Sequence, residues 1–162
     1  MKKLALFGVT TLAIFSLVAC SSSNTSTSSS SKVSSSSSSI TKVDKFANQA
    51  QVGEAKFNIQ NASGNTANGE KIVILDSLDT SLLQIGYSAE GFDGTKLTYI
   101  YVDGIKSDKQ QWGENLSQGS VTLYSDKGNL KIGTHKIEVV QYDTDKESGT
   151  ITAFNSQEYT VK

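Results

Sequence analysis

An all-β fold, an antiparallel sandwich of about seven to nine strands behind a serine-rich lead segment, is the architecture this sequence predicts. Three observations carry that expectation. Valine, isoleucine and aromatic residues recur in short runs broken by glycine, asparagine and aspartate, with no sustained 3.6-residue period. Proline is absent, so glycine and Asx residues must make the turns. Residues 41–162 are enough for one ordinary domain and one core, not for two.

The elements follow in chain order. Residues 41–51 depart from the β pattern, because Val43, Phe46, Ala47 and Ala50 follow helical spacing; this stretch is read as a short helix or the frayed end of the lead segment. In residues 55–60, Ala55, Phe57 and Ile59 alternate with Lys56, Asn58 and Gln60, which is a strand with one buried face. A loop is expected over 61–69, then a strand over 71–75. Leu83, Ile85 and Tyr87 share one face of a strand over 82–88. Residues 97–102 read LTYIYV and run into Asp103-Gly104, a pair that favours the positive φ angles of a type I′ hairpin turn, with Ile105 starting the return strand. Further strands are expected over 120–125 and 134–142. Residues 150–154 and 158–161 read as one interrupted strand or two short ones.

TYIYVDG followed by LKIGTHKIEVVQYD resembles bacterial immunoglobulin-like surface domains, over roughly residues 81–161. The resemblance implies an immunoglobulin-like sandwich and a structural role for His135. The chain departs from antibody-type domains: it has no cysteine pair, and Trp112 lies beyond the Asp103-Gly104 turn rather than on the strand before it. A small barrel is the alternative architecture.

The N-terminus carries a different message. Lys2 and Lys3 precede an uncharged run, Leu4 to Val18, the layout of a secretory signal, and the run is shorter than the roughly 20 apolar residues a membrane-spanning helix needs. Leu17-Val18-Ala19-Cys20 resembles the lipobox of bacterial lipoproteins. That resemblance implies removal of residues 1–19 by cleavage between Ala19 and Cys20, and a diacylglyceryl lipid, palmitate-like in its chains, on the Cys20 thiol. Two acyl chains anchor stably, at roughly 0.8 kcal/mol per buried CH₂. Cys20 is the single cysteine, so it has no intrachain disulfide partner.

Residues 20–40 then form a linker, in which 14 of the 19 residues between Cys20 and Ile40 are serine and none is aromatic. Such a segment buries too little apolar surface to offset chain entropy, and about 20 flexible residues span roughly 25 Å. The expected location is the outer face of a cell membrane, lipid-anchored, in keeping with a Gram-positive surface. Without residues 1–19 the chain has 13 lysines against 16 acids and no arginine. That balance excludes the concentrated basic face nucleic acid requires, and no guanidinium clamp is available for phosphates.

No cofactor is expected beyond the lipid. His135 is the single histidine, no G-x-S-x-G or H-E-x-x-H motif occurs, and the usual zinc ligand set cannot be assembled. Asp143, Asp145 and Glu147 stand at alternate positions as in a calcium loop, but Ser148 occupies the glycine position and Phe154 the bidentate glutamate position; a solvated acidic hairpin loop accounts for the segment. Asp76, Asp79, Glu90, Asp93 and Asp103 raise a carbohydrate hydrolase, which needs two carboxylates across one cleft, yet all five lie beside expected turns.

Tyr87, Tyr99, Tyr101, Trp112, Tyr124 and Tyr142 supply aromatic surface for the core or for a ligand. Tyr87 is assigned to the core, whereas Trp112, within KQQWGEN, is expected to stand exposed as a ligand contact. The expected role is a non-enzymatic binding or shielding module at the bacterial envelope, with a cell-wall polymer or envelope protein as partner. The rival roles are the hydrolase, phage or plasmid exclusion, and release of a pheromone from AIFSLVA in the signal segment.

Overall fold

The structure, a computed structural model, describes residues 45–76 and 80–162. Ala19, Cys20, the serine-rich linker and Asp79 lie outside the described residues. Nine strands form among the described residues: β1 (Lys56–Asn61), β2 (Gly64–Asn65), β3 (Ile72–Ile74), β4 (Leu82–Glu90), β5 (Thr98–Val102), β6 (Ile105–Gln110), β7 (Ser117–Tyr124), β8 (Gly133–Tyr142) and β9 (Ile151–Val161). They make a four-stranded sheet in the order β2-β1-β4-β7 and a five-stranded sheet in the order β3-β9-β8-β5-β6. This is the all-β sandwich the sequence predicts.

Alternation explains the packing. Phe57, Ile59, Ile85, Tyr87, Val121 and Leu123 from the smaller sheet meet Ile72, Ile100, Ile137, Val139, Tyr159 and Val161 from the larger one, in a single core. Each such side chain contributes about 1.5–3 kcal/mol by leaving water. At the β5–β6 hairpin, Asp103 and Gly104 take φ of 52° and 73°, and Val102 pairs with Ile105, the type I′ geometry expected of that dipeptide.

Three local expectations need correction. Residues 45–48 form a turn rather than a helix, because Phe46 is drawn onto the sheet surface instead of lying along a helical stripe. The sheets are not wholly antiparallel: the chain crosses from the smaller sheet to the larger between β2 and β3, and β3 then runs parallel to β9, pairing Ile72 with Tyr159 and Ile74 with Val161. Finally, β9 is one unbroken strand. Its polar middle stays in the sheet because Asn155 and Gln157 point inward and donate to the main-chain carbonyls of Ala55 and Phe57, at 3.4 and 2.8 Å, closing the side of β1 that β2 leaves open.

Candidate functional site

The outward face of the five-stranded sheet divides into two halves. Register fixes which side chains share it: Thr134 stands opposite Thr160, Lys136 opposite Glu158, Glu138 opposite Ser156 and Val140 opposite Phe154, with Tyr101 and Tyr99 of β5 beside Glu138 and Val140. Toward the Tyr142 end these residues are aromatic, and toward the Gly133 end they are polar.

Residues 45–52 cover the aromatic half. Phe46 packs edge-on against Tyr101 at 4.9 Å and beside Phe154 at 5.4 Å, forming a second apolar cluster with Tyr99, Val140 and Tyr142. Reciprocal backbone bonds between Val52 and Phe154, 3.0 and 3.1 Å long, fix the far end of this strap. Lys45 lies over the rings of Tyr101 and Tyr142 at 5.0 and 5.9 Å, and its ammonium donates to the Tyr101 hydroxyl. Tyr101 in turn donates to Glu147, which also pairs with Lys106. The hydrogen bond from Lys106 holds the Glu147 carboxyl below its ordinary range, while burial, with neighbouring Tyr142, pushes the Tyr101 hydroxyl well above the usual phenol range.

The polar half is open. A groove of about 530 Å³ runs along it, floored by Thr134, Lys136, Ser156, Glu158 and Thr160 and walled by Thr66, Gly69, Glu70 and Lys71 of the β2–β3 connection. Local geometry builds that wall: Asn65 caps the 3₁₀ turn Thr66–Asn68 by accepting from the Ala67 N–H, and Gly69 closes it at φ 76°. Glu70 accepts from the Asn65 N–H at 2.7 Å, tying the wall together. Glu138, only 1% exposed, marks the boundary between the halves and accepts from the Gly104 N–H.

Trp112 is not an exposed contact; it is 3% exposed. The chain leaving β6 crosses the end of the sandwich, and Gly91 and Phe92 donate to the carbonyls of Glu114 and Gly113, which seats the indole among Tyr87, Phe92 and Phe57 at 4.9, 5.2 and 5.9 Å. The polar neighbours in KQQWGEN form the solvent side of that crossing. Tyr87, assigned to the core, is there.

The acidic loop does not gather its carboxylates. Asp143 accepts from the Thr150 N–H, Asp145 from the Leu97 N–H, and Glu147 turns to Lys106 and Tyr101, so the three carboxylates of Asp143, Asp145 and Glu147 each face a different partner and tie the loop to β5 and β6. Among the described residues no group of three or more metal-binding side chains converges.

Among the described residues, the four carboxylates raised for the hydrolase are likewise dispersed. Glu90 pairs with Lys56 on the sheet surface, Asp93 folds back on Thr95, which lowers its pKa, and Asp76 lies beside the C-terminal residue Lys162. Asp103 binds His135 Nδ1 at 2.8 Å, while His135 Nε2 faces the Lys131 carbonyl at 2.7 Å and the ring stacks on Tyr159. Both ring nitrogens thus lie against oxygen atoms of the fold, and neither faces a hydroxyl that could serve as a nucleophile. Burial and the nearby Asp103 raise the Tyr159 pKa, and its hydroxyl donates to the Asn129 carbonyl.

Lys71, Lys136, Ser156 and Glu158 were not singled out by the sequence. The signal present was the polar alternation along β8 and β9, which is indistinguishable from an ordinary solvated face until β3 and its connection wall one side.

Fold and site together define an all-β sandwich with one sealed and one open half on the same sheet face. No family model, curated protein or solved structure matches the chain.

Proposed function

We propose that the chain is a non-enzymatic, lipid-anchored binding module of a bacterial envelope, tethered through Cys20 and residues 20–40, and that its open polar groove takes a hydroxyl- and charge-bearing cell-wall polymer. The observation that carries the reading is the groove's lining: Lys71, Lys136, Glu70 and Glu158 border one open channel together with the hydroxyl-bearing Thr134, Ser156 and Thr160. A polymer with many hydroxyls and scattered charges finds repeated partners there. A protein partner is less well served, since protein interfaces rest on buried aromatic or arginine anchors and the channel offers neither. Catalysis is disfavoured by the committed nitrogens of His135 and the dispersal of Asp76, Glu90, Asp93 and Asp103.

The test is retention of the soluble fragment 40–162 on purified cell-wall polymer. Saturable retention that Lys136→Glu abolishes, with unchanged near-ultraviolet circular dichroism, is the expected result; no retention on any wall fraction overturns the reading. For the anchor, Cys20→Ser is expected to release the protein from membranes, and unchanged membrane retention and mass would refute lipidation.

A further inference from the structure

We infer that β7 is a self-docking edge, through which two copies of this chain join their four-stranded sheets into one continuous eight-stranded sheet. A sheet edge with unpaired backbone groups is a template for another strand, and proteins blunt such edges with short strands, charges or bulges. Three of the four edges here are blunted. β2 has two residues, β3 has three, and β6 carries Lys106, Asp108 and Lys109 together with a register irregularity against β5.

The fourth edge has none of these devices. β7 is eight residues long, reads SQGSVTLY without a charge, and pairs with β4 in unbroken register from Ser117 to Tyr124. Tyr124, at its end, is the one residue of β7 also hydrogen-bonded to the following loop, through Asn129. The rest of its outer edge has backbone groups to offer.

The occupant is a second copy because β7 is its own complement. Antiparallel pairing about a two-fold axis through Ser120 sets Gln118 of each copy opposite Thr122 of the other on the outward face, with the two Ser120 side chains meeting at the axis. All of these side chains both donate and accept hydrogen bonds, and none of them is charged. On the inward face Gly119, whose inner side the Tyr87 ring already covers, meets Val121, and β6 stands beside this edge across a crevice of about 160 Å³ lined by Ser107, Asp108, Ser120 and Thr122. Such a two-fold, self-complementary interface closes at a dimer. The groove on the other sheet plays no part, so the inference stands or falls apart from the functional reading.

The experiment uses the full chain with Cys20→Ser, which leaves it without cysteine. Sedimentation velocity is expected to show twice the monomer mass, and Ser120→Lys, an exposed substitution that sets two ammonium groups on the axis, is expected to return the monomer with unchanged circular dichroism; Thr122→Lys serves if Ser120→Lys fails to fold. In the same background Ser120→Cys should oxidise to a disulfide-linked dimer, since residues at such an axis lie about 5 Å apart, while Asn58→Cys on β1 should not. A monomer at every concentration, or a dimer that neither lysine substitution disturbs, overturns the proposal.

Discussion

The two halves of the outward face of the β9-β8-β5 sheet are built on the same strands yet treated in opposite ways. On the Tyr142 half, alternation places Tyr99, Tyr101, Val140 and Phe154 outward, and the chain spends residues 45–52 to cover them. On the Gly133 half the same alternation places Thr134, Lys136, Ser156, Glu158 and Thr160 outward, and nothing among the described residues lies across them. Apolar surface left in water is costly and attracts other chains. Polar surface has no such cost, so the half that stays open is the half that can afford contact with a soluble polymer. Aromatic content alone therefore points away from the groove: Tyr87, Tyr99, Tyr101, Trp112 and Tyr142 are buried in the two clusters, and the groove proposed for binding is lined by no ring.

Perturbations of decreasing severity separate these roles. Trp112→Ala removes a ring shared by Phe57, Tyr87 and Phe92 in the main core, and a loss of about 3–5 kcal/mol of unfolding free energy is expected, read as a lower denaturant midpoint of the whole domain. Phe46→Ala should cost roughly 1–2 kcal/mol, because the second cluster is bounded by one strap whose end can lift without breaking the sandwich. Its signature is faster amide exchange over residues 45–52 while β4 and β8 stay protected. Equal loss of protection in both regions would show that the two clusters are one cooperative unit.

Acid acts on the aromatic half as well. Because Lys106 lowers the Glu147 pKa in the folded state, its contribution is present at neutral pH and is lost as the pH falls through the folded value. Glu147→Gln is expected to flatten the acid limb of a stability-pH curve; an unchanged limb would mean the pair is stabilising neither state. At the alkaline end the sign reverses. Tyr101 and Tyr159 have raised pKa values, so their contributions are present below about pH 10, where unfolded tyrosine ionises, and stability should decline above it. The smallest effect belongs to the open half, where Lys136→Ala or Glu158→Ala should change stability by no more than about 0.5 kcal/mol while weakening polymer binding. A large loss of stability there would make the groove a structural element instead.

How much of this was legible in the sequence depended on whether the deciding interaction was local. The Asp103-Gly104 turn and the faces of β1 and β4 follow from two-residue chemistry and strand alternation, and the structure agrees with them. Trp112 was read from its polar neighbours, but its place is set by Phe57 and Tyr87, distant in sequence, and by the backbone bonds of Gly91 and Phe92. β9 looked interrupted because Asn155 and Gln157 are inward-facing polar residues whose partners, the carbonyls of Ala55 and Phe57, lie on the other sheet. The groove is the extreme case. Its floor consists of polar residues on strands, and it becomes a groove only where the Thr66–Asn68 turn and Lys71 stand beside them.

The most direct test of the division between the halves is residue-resolved: amide chemical-shift changes in an isotope-labelled domain titrated with soluble cell-wall polymer. Saturating shifts at Lys71, Thr134, Lys136, Ser156 and Glu158, with Tyr99, Tyr101 and Phe154 unmoved, are predicted. Shifts centred on the aromatic half and residues 45–52, with the groove silent, would contradict the account.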